Sequence, residues 1–586
     1  MTKGELCMRT RISLLVAFLL VACLVVPAAS AQTVMFIGAG SSAMWQEFAL
    51  AAVNDPTLNG PGSHHWTTSG VCPDGSNCAQ AFDSRSGPGG TVDDHQGGNL
   101  WVVWNQAETR VWAYLSVDSV VGNRLFFATP RATLQIDSNA LNEGSGGDLI
   151  SPSLFKYGAA TTSARCAGAS TCDDSALPAK ILDAILAAPT ITAAMTDIRP
   201  EDALFASNRV NCPPPITLGC LGYGISGNPV ANPVLSAFTT SKATPVAYAI
   251  SGDDPVSGEA VPAWTTFPVG AQPIVILVNR SDASGLGQKT TAGAFAITNV
   301  THAQLQTIFS GANCNTSALG AATAHAIFPV LREPLSGTMN TFEFTNMTSP
   351  TSLVNSQETK VLAHNPLNNA CAAGGGKRFR GIGTGQITGA ILNGNQNATT
   401  GAYPIPSFKG ADGIGYAFFS YGNVSHLTNP TWYGYLTLDG VDPLLGNPGH
   451  VANGGLPACK LPCPAAPNTT FKNLRNGTYR SFSFVRLVTE KTGNENAAEL
   501  VKAAQASINL YVPDFVPYVA AGGDAGMKFY RSHFPVTVNG VTYAAKNGLP
   551  FKDASAESGG DVGGCIEPVT ENVLGAHENV TGGCAK

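Results

Sequence analysis

Charge is what this chain has least of. Asp, Glu, Lys and Arg make up 12% of its 586 residues, about half the share of an ordinary soluble domain. The few charges sum to −6, which excludes the basic stripe that a nucleic acid requires of its partner. Past residue 31 no run is long and apolar enough to cross a bilayer as a helix. Histidine is scarce at ten residues, and neither G-x-S-x-G nor H-E-x-x-H occurs, which removes the commonest signatures of a serine hydrolase or a zinc protease. The cysteines have no companion histidines and no CxxC…CxxC spacing, so no metal or cofactor site is expected from them.

What the chain has in quantity is glycine (64) and proline (38), a composition of many turns and insertions. At 586 residues it exceeds what one core organises, so two or more lobes are expected. Residues 1–31 have the form of a signal peptide: Lys3, Arg9 and Arg11 precede an apolar run over 12–26, and Ala29-Ser30-Ala31 offers a cleavage site before Gln32. Leu20-Val21-Ala22-Cys23 also resembles a bacterial lipobox, which would leave a lipid anchor at Cys23. Because the apolar run continues past Cys23, plain cleavage is preferred, and a periplasmic or secreted protein is the expectation. Cleavage after Ala31 removes three cations and one anion, taking the net charge from −6 to −8. It also removes Cys7 and Cys23, leaving 12 of 14 cysteines in an oxidising compartment. Five pairs are close in sequence, Cys72/Cys78, Cys166/Cys172, Cys212/Cys220, Cys459/Cys463 and Cys565/Cys584, and Cys314 pairs with Cys371 by elimination. Disulfides rather than metal ligands are the expected use.

Strand-like and helix-like segments alternate along the chain. Thr33-Val34-Met35-Phe36-Ile37 reads as a strand, followed by the glycine turn Gly38-Ala39-Gly40-Ser41-Ser42 and a helix from Ala43; the third glycine of a dinucleotide fingerprint is absent. Residues 55–100 read as an insertion, with His64-His65 in a solvated loop. Leu100–104 and 111–117 read as aromatic-rich strands, and Ser119 is a hydroxyl just past the second. Residues 138–175 form a second insertion, 176–187 a helix, and 190–195 a strand that runs into Asp197. Residues 204–243 are a further extended stretch, after which a strand over 246–250 leads to Asp253. Residues 273–278 form another strand and 301–309 an amphipathic helix.

The most chemically pointed segment is Arg332-Glu333-Pro334-Leu335-Ser336-Gly337-Thr338. It follows the apolar run 326–331 and precedes a helical pattern, so it reads as strand, tight turn and helix start. The first amides of a helix lack intrahelical acceptors and carry the positive end of its dipole. Two hydroxyls, a close approach at Gly337 and the forked cation of Arg332 would suit such a turn to an anion. An ordinary N-cap beside a surface arginine is the plainer reading of the heptapeptide alone.

The order of the pieces resembles the periplasmic phosphate-binding proteins that feed ABC importers. The resemblance lies in Gly38-Ala39-Gly40-Ser41-Ser42, in Arg332 with Ser336-Gly337-Thr338, and in residues 264–279 as a strand crossing to the second lobe. It extends to Gln304-Leu305-Gln306-Thr307-Ile308-Phe309-Ser310-Gly311, to Gly413-Ile414-Gly415-Tyr416, and to residues 479–488 as the return crossing. It covers about half the mature chain. It implies an α/β, two-lobed type II periplasmic-binding fold, each lobe a mixed sheet flanked by helices, with disulfide-bearing insertions. The implied boundaries are lobe 1 over 32–278, lobe 2 over 279–475, and a return to lobe 1 with the tail over 476–586.

The resemblance further implies a non-catalytic protein that takes phosphate or a related oxyanion between its lobes as a monomer, with ABC importer membrane subunits as partners. Ser41, Ser42, Ser119, Asp197, Arg332, Ser336, Gly337 and Thr338 would line the site. Asp197 would accept the hydrogen of protonated phosphate, with Asp253 its competitor. Two departures stand out: the aspartate the family has two residues after the arginine is Pro334 here, preceded by Glu333, and an aromatic often found in the first turn is Ala43. A surface or adhesion protein that keeps the fold without a ligand is the main alternative, and a secreted hydrolase on the same scaffold a lesser one.

Overall fold

The computed structural model describes residues 32–60, 63–68, 79–82, 95–127, 131–136, 177–187, 190–198, 264–332, 336–347, 370–381, 383–393, 410–420, 433–444, 471–475 and 481–507, with shorter pieces between and after them. The leader with Cys23, the insertion at 138–175, Asp253, Glu333 and Pro334 lie outside these residues, as do the five close cysteine pairs.

The main sheet contains β1 (Thr33–Ser41), β2 (His64–Thr68), β3 (Asn99–Trp104), β4 (Arg110–Val117), β5 (Ala193–Thr196), β6 (Trp264–Asn279), β7 (Ile327–Arg332), β8 (Phe379–Gly381), β9 (Asp412–Phe418), β10 (Tyr433–Leu438) and β11 (Phe482–Glu490). Along its main path the order is β8-β7-β9-β6-β11-β5-β1-β4-β3-β2, with β10 also paired to β6. Helices used below are α1 (Trp45–Asn54), α2 (Ser119–Phe127), α3 (Ala179–Ala187), α4 (His302–Phe309), α5 (Gly337–Phe342), α6 (Gly383–Thr388) and α7 (Glu495–Ser507).

In the first half, β1 lies between parallel neighbours β4 and β5. Strands so placed are covered on both faces, and the period-two alternation of their side chains divides two cores. Leu100, Val102 and Trp104 of β3 with Val111, Ala113 and Leu115 of β4 pack with α2 and α3 residues on one face. Trp101, Val103, Trp112 and Tyr114 face α1 and α7 on the other. Strand β1 runs four residues beyond the expected Ile37, so Gly38-Ala39-Gly40 lies in the strand and not in the turn. Its parallel partners carry it there. Gly40 has φ 140°, and a Cβ on it would lie 2.0 Å from Met195 O of the neighbouring strand.

Residues 55–100 are more than an insertion. Strand β2 extends the main sheet by pairing antiparallel with β3. His64-His65, expected in a solvated loop, lies in that strand instead: His65 is buried, and His64 stacks on Trp104 with centroids 5.9 Å apart.

Strand β6 joins the halves. Its residues from Trp264 to Pro273 pair antiparallel with β11, while Ile274 to Asn279 pair with β9 and β10. The second half has its own core of Ile274, Ile276 and Val278 with Leu305, Ile308, Phe309, Leu331, Phe342 and Tyr416. Phe342 stacks on Tyr416 at 3.8 Å, which seats α5 against β9. The result is the expected two-lobed α/β fold of type II, two sheet halves flanked by helices and joined by the long strands β6 and β11. Helix α4 begins at a capping box, with Thr301 accepting from Gln304 N and the Gln304 side chain accepting from Thr301 N.

Cys314 and Cys371 form the disulfide expected by elimination, closing a sequence separation of 57. It fastens the approach to β7, since Ile327 N donates to Cys314 O. Replacing both cysteines by alanine should lower the stability of this lobe by about 2–4 kcal/mol, read as a drop in thermal midpoint that reducing agent reproduces in the parent chain. An unchanged midpoint in both experiments would show that the link contributes nothing to stability.

Candidate functional site

The expected site residues fall on the facing ends of two lobes. Strand β1 delivers Ser41 and Ser42 at its C-terminal end; β4 ends at Val117, so Asp118 and Ser119 follow at the start of α2; β5 ends at Thr196, immediately before Asp197. All three strands are parallel, which is why residues far apart in sequence emerge at one edge. Helix α2 packs directly on β1, where a Cβ on Gly122 would lie 2.5 Å from the Cα of Gly40. Asn123 fixes the position of Ser119 beside β5: its side-chain amide donates to Ser119 O and to Thr196 Oγ1, both at 2.9 Å.

The second lobe presents Arg332 at the end of β7 and Ser336-Gly337-Thr338 at the start of α5. Ser336 Oγ accepts from Met339 N at 3.3 Å as an N-cap, which is the plainer role considered for it. The guanidinium of Arg332 is buried to 2% exposure. Its Nη2 donates to Asp118 Oδ1 at 2.8 Å across the lobes, and its Nη1 donates to Thr384 Oγ1 at 2.8 Å. The Arg332 backbone N–H is held separately, donating to the Tyr416 hydroxyl at 3.2 Å.

These contacts join into one chain of groups. Ser42 Oγ lies 3.2 Å from Thr384 Oγ1, Thr384 and Asp118 hold Arg332, and Asp118 precedes Ser119, whose hydroxyl donates to Asp197 Oδ1. Gly337 closes the sequence from the other lobe: a Cβ built on it would lie 1.7 Å from Asp197 Oδ1 and 2.8 Å from Ser119 Oγ. Only glycine allows that approach. Ser42, Ser119, Asp197, Arg332 and Gly337 are thus in one cluster, with Ser336 and Thr338 buried on either side of Gly337. Ser41 stands slightly apart. Its hydroxyl accepts from Ala43 N in a local cap, and its carbonyl accepts from the Tyr114 hydroxyl at 2.7 Å.

Three members were not expected. Asp118 supplies a carboxylate to Arg332 from the opposite lobe, where the resemblance placed one at the position occupied by Pro334. Thr384 lies in the first turn of α6, and Gly381-Ile382-Gly383-Thr384-Gly385 is a glycine-flanked hydroxyl after a strand, the same sequence pattern as Gly38 to Ser42 and Ser336 to Thr338. Arg486, buried on β11, acts electrostatically on Asp197.

Burial dominates the titration of Asp197, raising its pKa to about 6. The Ser119 hydroxyl, its own backbone amide, Arg332 and Arg486 each pull the other way without cancelling that cost. Burial, and then the Asp197 charge, also holds the Tyr114 hydroxyl well above its ordinary pKa.

No family model matches the sequence, and no curated protein matches it. Among solved structures the chain is similar to a phosphate-binding protein from Stenotrophomonas maltophilia, at 13% identity and a TM-score of 0.32, covering 89% of each chain. It is also similar to a putative phosphate ABC transporter substrate-binding protein from Clostridium perfringens (15% identity, TM-score 0.25, covering 44% of this chain and 72% of that one). An ABC-type phosphate transport receptor from Vibrio cholerae has 15% identity and a TM-score of 0.26, with 46% of this chain and 79% of that one covered. Among the described residues no helix is long and apolar enough to cross a membrane.

The raised pKa of Asp197 has a stability consequence with a definite sign. A carboxyl whose folded pKa lies above its unfolded value near 3.9 favours the folded state below the unfolded pKa, and that benefit is lost as pH rises through about 6. Asp197→Asn should therefore stabilise the chain at pH 7, by at most about 3 kcal/mol from two pKa units, and the gain should vanish toward pH 4. Thermal midpoints of parent and variant across that range measure it, and a gain independent of pH would refute the assignment.

Proposed function

We propose that this chain is an extracytoplasmic solute-binding protein that captures phosphate or a related tetrahedral oxyanion between its lobes, for delivery to an ABC importer, and that it catalyses no reaction. The observation that carries the reading is the meeting of one glycine-bearing turn with the strand and helix ends of the opposite lobe, Gly337 against Asp197 and Ser119, beside a buried arginine that reaches across to Asp118.

The chemistry of the cluster supports an oxyanion that keeps a proton. Hydroxyls of Ser42, Ser119, Ser336, Thr338 and Thr384, the first amides of the helical run that begins at Gly337, and the Arg332 fork are donors. Donors of this kind stabilise a dehydrated tetrahedral anion better than unpaired formal charge does. Asp197 is the acceptor in the set. Ionised, it accepts the hydrogen of monohydrogen phosphate; sulfate at neutral pH brings no hydrogen and leaves two negative oxygens facing each other. The acceptor role requires the ionised form, so selectivity for phosphate belongs to pH above about 6.

The bonds from Arg332 to Asp118 and Thr384 favour a second reading, in which the lobes are locked by their own side chains and the fold serves a surface or adhesion role without a ligand. Calorimetry on the mature protein separates the two. Phosphate should bind at one per chain, and Arg332→Ala should weaken it by a hundredfold or more, about 3 kcal/mol; no heat with phosphate, arsenate, sulfate or molybdate leaves only the second reading.

Two further results test the geometry. Gly337→Ala should bind phosphate at least about tenfold more weakly, because its methyl would lie against Asp197 Oδ1 and force the two elements apart. Sulfate competition should strengthen as pH falls below about 6, and in Asp197→Asn, whose amide can donate, sulfate should compete at neutral pH. Sulfate exclusion that persists at low pH and in the amide variant would remove Asp197 from the selecting role.

A further inference from the structure

At the end of β7 opposite Arg332, three side chains converge that anion binding does not use. His325 precedes β7 by two residues, Asp412 opens β9, and Asp282 follows β6. Strands β7 and β9 are parallel with Ile327 beside Asp412, and β6 runs antiparallel to β9, so all three residues come to one edge of the second lobe's sheet. One ligand-type atom from each lies within 4.8 Å of the other two. His325 Nδ1 is 3.6 Å from Asp282 Oδ2. Seven residues of extended chain separate His325 from Arg332, roughly 20 Å at the rise of a strand, so this cluster is separate from the anion site.

The two carboxylates are held in the same way. Asp412 Oδ1 accepts from Leu286 N at 2.7 Å, and Asp282 Oδ1 accepts from Ser284 N at 2.8 Å. Each therefore uses one oxygen on a backbone amide of the loop after β6, and for Asp282 the other oxygen is the one near His325 Nδ1. For Asp412, which is 1% exposed, the second oxygen is buried and accepts no hydrogen bond from the described residues. A buried carboxylate oxygen without a donor is costly. The loop is folded tightly over it, since a Cβ on Gly285 would lie 1.8 Å from Asp412 Oδ2. His325 is clamped at its backbone: its N–H donates to Thr316 Oγ1 and its carbonyl accepts from Thr316 N, both at 2.8 Å.

We propose that Asp282, His325 and Asp412 form a binding site for a divalent first-row transition-metal ion, with one imidazole nitrogen and two carboxylate oxygens as protein ligands. Backbone bonds to the outer carboxylate oxygens are the supporting contacts that such ligands need. One imidazole with two carboxylates suits Zn²⁺ or Mn²⁺ better than Ca²⁺ or Mg²⁺, which prefer oxygen throughout. Asp282 and His325 are half-buried, so water completes the coordination from the solvent side. The ion offsets two carboxylate charges and ties the loop after β6 to the starts of β7 and β9, close to where the Cys314–Cys371 disulfide fastens the same approach.

The test uses the mature oxidised protein, stripped with chelator and titrated with Zn²⁺ by calorimetry and with Co²⁺ by visible absorption, in buffer free of phosphate. One Zn²⁺ per chain and a Co²⁺ d–d band are expected. Asp282→Asn and His325→Gln should each weaken uptake by about tenfold or more, and either result alone sustains the site if the other variant folds poorly. His302→Gln, which removes the separate, more exposed His302–Asp439 pair, should leave uptake unchanged. No uptake by the parent, or uptake unaltered in both site variants, overturns the proposal. Arg332→Ala should bind the metal as the parent does, so failure of the phosphate reading and failure of this one are read separately.

Discussion

The buried ion pair between Arg332 and Asp118 is the constraint on which the rest of the site depends. The two side chains come from different lobes and are almost wholly withdrawn from water, at 2% and 7% exposure, with 2.8 Å between Nη2 and Oδ1. Neither charge is tolerable alone in that setting, since removing one member of a buried pair typically costs about 3–5 kcal/mol. Thr384 at the other arm of the fork makes the contact two-sided. The pair thus acts as a register mark, because a sideways shift of one lobe against the other would strand a guanidinium and a carboxylate together.

What lets two distant edges meet in register is the pair of long strands β6 and β11. A single 16-residue strand belongs to one sheet half by its first ten residues and to the other by its last six. Because its backbone hydrogen bonds are shared between both cores, the lobes are built on a common element and not merely tethered. Parallel strands on each side then send their C-terminal ends toward the cleft. Glycines at Gly40, Gly122 and Gly337 remove the side chains that would hold the elements apart.

Much of this was legible in the sequence where local pattern and tertiary role agree. The apolar runs ending at Val117, Met195 and Leu331 read correctly as strands, and the polar side chains just past them, Ser119, Asp197 and Arg332, are where the cluster forms. The first glycine turn was placed too early because Gly38 and Gly40 look like turn residues when read locally. Their real function is close packing between parallel strands, which no local pattern encodes. His64-His65 misled for the same reason: a glycine-rich setting suggested solvent, while pairing with β3 buries His65. Asp118 was passed over because its partner lies 214 residues away. Asp282, His325 and Asp412 share no spacing that a motif could record, since only the parallel register of β7 and β9 brings them to one edge.

The balance of charge in the cleft bears on how an oxyanion would be held there. Arg332 and Arg486 oppose Asp118 and Asp197, so the described cluster is formally neutral before any anion arrives. A dianion entering such a site gains no large net Coulombic attraction. Its stabilisation would have to come from oriented hydroxyls, amides and the Arg332 guanidinium, all of which act over hydrogen-bond distances. Dipoles fixed at short range favour a guest of one shape and one protonation pattern, whereas a net positive field would favour any anion alike. On the proposed reading, a buried carboxylate among the donors would weaken binding in general and would make the hydrogen carried by the guest decisive.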